Sequence, residues 1–427
     1  MGGAQRMSFV ALVSCLVFFV SCQQAAGNGF VTTKGTHFFV NGNPLYVNGF
    51  NSYWLLTLAS DPSQRNRVTS VFEEASGHGL NLARTWAFND GQYKALQVSP
   101  GVYDEQVFQA LDFVVSEAKN HNIRLIFSLA NNYVNFGGKA QYVNWARNAG
   151  QSLSSEDDFF TNPTVKGYYK NHVKAVLTRV NTITGVAYKD EPTIFAWELM
   201  NEPRCQSDTS GRTIQAWIEE MAAHVKSIDG NHLLEAGLEG FYGDFKKQVN
   251  PSFSVGTDFI ANNRIKDLDF ATVHSYPDIW LQGSDEGTQL SFLESWIENH
   301  LDDANKIVKK PVLFAEFGKS SKDPGYSEWQ RNNFFDTMYK HIYASASRGG
   351  ASAGGMFWQL LAPGMNQFGD GYEIVLSENP STAAVIAAQS HKLNMVTHMF
   401  TKIYDLEKLK RVYAHRRTRW HKDSNRG

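Results

Sequence analysis

Cysteine is almost absent: three in 427 residues, at positions 15, 22 and 205. The first two fall in an apolar N-terminal stretch, so once that stretch is removed Cys205 stands alone and no internal disulfide can form. Such a chain must be held by its core, and 42% hydrophobic and 13% aromatic residues supply one. There is no Cys-x-x-Cys and no His-Glu-x-x-His, and the 13 histidines are scattered, so neither metal nor cofactor is expected. The absence of Gly-x-Gly-x-x-Gly or a P-loop after the first strand argues against a nucleotide-binding sheet. No Gly-x-Ser-x-Gly elbow offers a serine nucleophile. The formal net charge of −2 gives no reason to expect nucleic acid or an anionic membrane as partner. Each Asn-x-Ser/Thr triplet, at Asn162, Asn250 and Asn379, carries proline in the middle, which forbids N-glycosylation.

The chain does have a leader. One arginine in "MGGAQRM", the apolar "SFVALVSCLVFFVSC" and the small residues of "QQAAGNG" follow the order of a secretory signal peptide, placed at residues 1–26. The apolar run is shorter than the ~20 residues of a membrane span, and no second run follows. A signal anchor is the alternative. The expected product is secreted to the extracellular space or cell wall, free of the membrane after signal removal, and monomeric.

Beyond the leader, "TKGT" and "NGNP" break strand-like runs and predict hairpin turns. Eight short apolar runs then recur: "LYVNGFN", "LNLARTWAF", "RLIFSLANN", "TIFAWELMNEP", "HLLEAGLEG", "FATVHSYP", "PVLFAEFG" and "GGMFWQL". Between most of them lie helix-like stretches with apolar residues three and four apart, such as "DEQVFQALDFVVSEAKNHN" and "NPTVKGYYKNHVKAVLTRVNTITG". The rhythm is least regular between the fifth and sixth runs. Eight strand–helix alternations predict an α/β fold, a single (β/α)8 barrel with an N-terminal β-hairpin and elaborated loops, over residues 27–395. An open doubly wound sheet is the alternative. Residues 396–427 hold nine Lys/Arg against three acids and read as a basic, solvated, partly helical C-terminal extension. The alternative there is an electrostatic tether to acidic wall polymers.

In such a barrel the site lies at the carboxyl ends of the strands. The runs end with Arg84 and Trp86, with Asn131 and Asn132, with Asn201 and Glu202, near Glu239, with His274 and Tyr276, with Glu316, and with Trp358. Two carboxylates facing each other across a sugar are what glycoside hydrolysis needs: one protonates the leaving oxygen, the other attacks the anomeric carbon or activates water. Glu202 and Glu316, from opposite arcs of the wall, are the candidates. Side chains alternate along a strand, so Asn201 and Glu202 can serve one ligand only if the strand bends or bulges, and Pro203 supports a break. Glu198 reads as a wall charge paired inside the barrel. His274 and Tyr276 share a face, either as a satisfied polar pair or with Tyr276 on the nucleophile and His274 on the sugar. Trp86 and Trp358 either fill core or stack on sugar faces with their indole N–H on a hydroxyl. Arg84 either pairs within the barrel or keeps Glu316 ionised, and the two roles are compatible. Trp217 and Trp296, inside helix patterns, read as core.

"WELMNEP", "HSYP", "FAEFG" and "MFWQL" together resemble glycoside hydrolase family 5 of clan A. "NGFNSYWL", "LARTWAFNDG", "NNYVNFGGKAQYVNWAR" and "FFTNPTVKGYYKNHV" are similar to its plant endo-β-1,4-mannanases, over about Phe30 to His391. The resemblance implies retaining double displacement on mannan, glucomannan and galactomannan, with Glu202 as acid/base and Glu316 as nucleophile. It implies Asn201 on the sugar 2-hydroxyl, and Arg84, His274 and Tyr276 supporting the nucleophile and the glycone sugar. Trp358 would be the platform under that sugar, with Trp86 a further substrate contact. Where some members carry a histidine after the third strand, this chain has Asn131 and Asn132, to which no role is assigned. A β-1,4-glucanase on the same barrel, or a non-catalytic wall-polysaccharide-binding protein, are the competing readings.

Overall fold

The computed structural model describes residues 29–423, with side chains through residue 406; the expected signal segment, with Cys15 and Cys22, lies outside them. The eight apolar runs form one eight-stranded sheet. Its strands are β1 Val47–Asn51, β2 Leu82–Trp86, β3 Arg124–Ser128, β4 Ile194–Glu198, β5 Leu233–Glu235, β6 Ala271–Ser275, β7 Val312–Phe317 and β8 Ser352–Phe357. Every strand residue except Arg124 is buried, which is why these segments read as continuous apolar runs rather than alternating ones. Parallel ladders run from β5 through β1 and β8 to β6. Leu234 O accepts Asp269 N–H at 2.8 Å, and Glu239 O accepts His274 N–H at 2.9 Å, so β5 and β6 close the circle without a regular ladder. The irregular gap in the sequence is this seam, and closure excludes the open sheet.

The longer helices are α1 Arg65–Gly77, α2 Glu105–Asn120, α3 Gly138–Asn148, α4 Pro163–Leu177, α5 Arg212–Ile228, α6 Glu286–Asp303, α7 Glu328–Ser347 and α8 Pro380–Asp423. Their starts follow local chemistry. Asp104 caps α2, and Ser327 with Gln330 forms a capping box on α7. Asn162, barred from glycosylation by Pro163, caps α4 by accepting the N–H groups of Thr164 and Val165 at 2.9 and 3.1 Å. The apolar pattern that continues past Leu177 is not helix: Asn181 Oδ1 takes the N–H groups of Ile183 and Thr184 and turns the chain back.

The N-terminal strands Val31–Lys34, His37–Val40 and Asn43–Leu45 make an antiparallel sheet under the barrel. Phe38 packs edge-on to Phe195 and Phe270 at 5.0 and 5.1 Å and plugs the floor beside Val47, Leu82 and Leu313. The opposite end, where the strands finish, is left for chemistry.

The expected boundary at residue 396 falls within a helix. Helix α8 passes through it unbroken; Val396 is buried, Phe400 lies 6.2 Å from Tyr46, and Tyr404 lies 5.3 Å from Phe39. The basic residues crowd the far end of the segment, while its first turns still cover the N-terminal sheet. Among the described residues no helix is long and apolar enough to cross a membrane. Cys205 is free and buried.

Candidate active site

A cavity of about 700 Å³ opens at the carboxyl ends of the strands. Glu202, Glu316, Asn201, Tyr276, Trp86 and Trp358 all line it. Two neighbours on one chain do so because the backbone abandons the pleat after Glu198. Asn201 N–H bonds Ala130 O on one side and Glu202 N–H bonds Gly237 O on the other, both at 2.9 Å. Glu202 itself has φ +49°, the left-handed region that side chains rarely adopt. Pro203 follows directly. The break demanded by the sequence is therefore a single left-handed residue, and that residue is the carboxylate.

Beneath the carboxylates lies Arg84, fully buried. Its Nε and Nη2 grip Glu198 at 2.5 and 2.7 Å, its Nη1 reaches Glu316 at 2.5 Å, and its Nη2 holds Asn201 Oδ1 at 2.7 Å. Both sequence readings of Arg84 thus describe one side chain. Burial opposes its charge, yet Glu198 and Glu316 hold its pKa above the ordinary arginine value. Burial would likewise lift Glu198, but Arg84 keeps it ionised, below the usual carboxylate range. Glu235 is different: burial and the neighbouring Glu198 charge raise its pKa well above that range.

Glu316 accepts the Tyr276 hydroxyl at 2.8 Å through its second oxygen. His274 Nδ1 lies 2.7 Å from Glu202 and 3.7 Å from Glu316. One ligating atom from each of these three residues falls within 4.8 Å of the others. The imidazole between two carboxylates has its pKa raised by Glu316 and Glu202, against burial that lowers it. Burial also raises Glu202, but the bonds from His274, the Arg204 charge and the Tyr133 hydroxyl bring it down to about 2. Burial and the Glu202 charge raise Glu316, against His274 and Arg84. The surroundings therefore favour the charged form of Glu202 more than that of Glu316.

Three expectations are corrected. Arg84 and His274, placed among substrate contacts, do not reach the cavity; both are fully buried behind the carboxylates and position them instead. The Trp358 indole N–H is not free for a hydroxyl, since Asp370 Oδ2 accepts it at 2.6 Å. The ring still lines the cavity, stacked on Tyr53 at 5.7 Å and 11°. Trp86 lies 6.2 Å beyond. Trp217 and Trp296 are core, as their helix patterns required.

Other residues of the site escaped the sequence reading. Tyr133, on the loop after β3, donates to Glu202 Oε2 at 2.7 Å. Arg204 makes a two-pronged pair with Glu239 at 2.7 and 2.6 Å on the cavity wall. Burial and the Glu202 charge push Glu239 up to about 7 despite Arg204. Asn131 Oδ1 accepts from Asn201 at 3.0 Å, which gives one of the two unassigned asparagines a supporting place. The signal for Arg204 was adjacency to the "NEP" turn; for Tyr133 and Asp370 there was none beyond lying on long loops.

Glu202, His274 and Glu316 could offer ligands to a cation. Their donors argue against it: Arg84 and Tyr276 already occupy Glu316, and Tyr133 and His274 occupy Glu202. The positive charge the carboxylates require is built in as Arg84.

The chain is similar to plant proteins over nearly its whole length. Mannan endo-1,4-beta-mannosidase 1 of Oryza sativa subsp. japonica is 58% identical, covering 94% of this chain and 95% of that protein. Mannan endo-1,4-beta-mannosidase 7 of Arabidopsis thaliana is 59% identical, covering 90% of each. Among solved structures, the endo-beta-1,4-mannanase of Thermotoga petrophila superposes with a TM-score of 0.72 at 30% identity, covering 83% of this chain and 78% of that one. The endo-1,4-beta-mannanase of Rhizomucor miehei gives 0.72 at 31% identity, covering 86% and 99%. The family pattern described as GH family 5 beta-mannosidase-like spans residues 28–366, from the floor sheet past β8 and Trp358. With paired glutamates at the ends of the fourth and seventh strands of a closed barrel, the chain belongs to the beta-mannosidase-like glycoside hydrolases of family 5.

Proposed function

We propose that this protein hydrolyses internal β-1,4-mannosidic bonds of mannan, glucomannan and galactomannan by retaining double displacement. One observation carries the chemistry: Glu202 and Glu316 meet on one cavity wall with oxygens within 4.8 Å of each other. Retaining enzymes place their carboxyl groups about 5–5.5 Å apart, whereas inverting ones leave a gap of about 6.5–9.5 Å for water. The near-60% identity to plant mannan endo-1,4-beta-mannosidases supports the choice of polymer.

Glu316 is the nucleophile in this reading. Arg84 and Tyr276 each fix one of its oxygens, leaving the carboxylate aimed and immobile. Glu202 protonates the leaving oxygen and then, when Glu316 is esterified and its charge is gone, deprotonates the incoming water. Its low pKa beside His274 suits this second half. Asn201, held by Arg84 and Asn131, presents its amide to the sugar 2-hydroxyl. Trp358 carries the glycone sugar on its face, and Trp86 extends that wall. The protein works as a monomer outside the cell, on wall or storage polysaccharide, a placement supported by the leader sequence.

The test is release of reducing ends from soluble mannan and from carboxymethylcellulose at equal concentration. Cleavage of mannan with little on the cellulose derivative is expected, and Glu316→Ala abolishes it. Preference for the cellulose derivative supports a β-1,4-glucanase; binding of mannan without product supports a non-catalytic binding protein.

A further inference from the structure

A general acid needs a proton and a free edge facing the leaving oxygen. Both oxygens of Glu202 are already engaged. Oε1 accepts from His274 and Oε2 from Tyr133, each at 2.7 Å. Both bonds favour the carboxylate. His274 is sealed behind the site and cannot withdraw. Tyr133 lines the cavity and is 37% exposed.

The backbone under Tyr133 is fixed. Asn131 Oδ1 accepts its N–H at 3.2 Å, and Asn131 Nδ2 bonds Asn135 O at 3.1 Å. The next turn is welded to the β2 loop, since Asp90 N–H donates to Phe136 O at 2.8 Å. The Arg204 guanidinium lies over the face of the ring, 5.8 Å from its centroid. The moving part is therefore the phenol, turning about its own side-chain bonds. Its oxygen sits at hydrogen-bond distance from Oε2, in the position a glycosidic oxygen must take to be protonated.

We propose that Tyr133 is a substrate-displaced latch on Glu202: its hydroxyl stands in for the leaving-group oxygen in the empty cleft, and substrate removes it so that the acid can charge. When the sugar enters, the phenol swings out, Oε2 loses a donor, and the freed lone pair takes a proton from solvent hydronium, which is left as water. That proton then passes to the glycosidic oxygen as the bond to the anomeric carbon breaks. The proton transfer leaves Glu202 a carboxylate; when the leaving sugar departs, water takes its place at Oε2 and is deprotonated there, and Tyr133 returns only after the product has left. Tyr133 is thus a positioning residue that acts through Glu202, and its role rests on the reading of Glu202 as acid/base.

The test is Tyr133→Phe, which keeps the ring over Arg204 and deletes only the hydroxyl. The profile of kcat/KM reports the free enzyme, and that of kcat reports the bound one. A hydrogen bond to a charged group is worth about one to two pH units. The basic limb of kcat/KM is expected to move up by about one unit while that of kcat stays in place. A dinitrophenyl mannobioside, which needs no protonation to leave, is expected to show no shift. Basic limbs unmoved in both profiles overturn the latch, as does an equal loss on both substrates at all pH values. Failure of the acid assignment is separable: Glu202→Gln would then cleave mannan normally, whatever Tyr133→Phe does.

Discussion

At the scale of single residues, one guanidinium decides the electrostatics. Arg84 neutralises a wall charge, Glu198, and fixes a working one, Glu316, from a site without water contact. Taking out one partner of a buried pair costs far more than the pair contributes, because the remaining charges stay behind. Arg84→Ala is expected to lose about 3–5 kcal/mol of unfolding free energy, measured by denaturant titration, together with activity. A stable and active variant would show that Glu198 and Glu316 find other partners. The carboxylates themselves were legible from sequence, since each ends an apolar run and neither has a structural excuse for being there. Their supporting cast was half legible. Arg84 and His274 stand on strands and Tyr276 directly follows one, where period and position assign a face. Tyr133 and Asp370 stand on long loops, where neither period nor strand register assigns a direction, and only the folded chain brings them to Glu202 and Trp358.

At the scale of elements, the end of β4 is the point where fold and function are tied together. Its left-handed residue is held from the β5 side by Gly237, whose carbonyl takes the Glu202 N–H. Gly237 has φ +80°, and a Cβ there would stand 1.7 Å from Met200 O. Gly237→Ala must therefore strain its own backbone and push β4 just before Asn201. A loss of roughly 2–4 kcal/mol is expected from the two effects together. Because the push arrives beside Glu202, kcat should fall in the protein that remains folded. Thermal melting and kinetics on the same sample check this, and retained kcat would mean that the β4 end yields without moving the acid. The alternation argument foresaw that the strand must break here, because two neighbours cannot share a face of a pleat. It did not foresee the partner, since a glycine that allows close approach leaves the same mark in sequence as any turn glycine. The eight strands were readable because both faces are buried and the runs are unbroken. The end of α4 and the continuity of α8 were not, because a local Asn turn and a distant aromatic contact overrode charge and periodicity.

At the scale of the whole molecule, the described residues hold no disulfide and the fold stands on its core, and that core contains titratable groups that limit its pH range. His172 is fully buried, and burial lowers its pKa from 6.5 to about 4. The folded form holds it neutral while the unfolded chain takes up a proton below 6.5, so the unfolded state binds more protons between pH 6.5 and 4. Stability should fall as pH drops through that window, by roughly 1.4 kcal/mol per unit from this residue. His172→Gln is expected to flatten the slope of unfolding free energy against pH there. An unchanged slope would assign the acid sensitivity to other groups.

The central claim is that Glu316 attacks the sugar and carries it as an ester while Glu202 manages protons. The most direct measurement is mass spectrometry of the enzyme after reaction with a 2-deoxy-2-fluoro-β-mannobiosyl fluoride, which is expected to form the intermediate and stall its hydrolysis. The account predicts one sugar bound per chain, on the peptide containing Glu316. A label on Glu202 or elsewhere, or no label in an enzyme that still cleaves mannan, would contradict it.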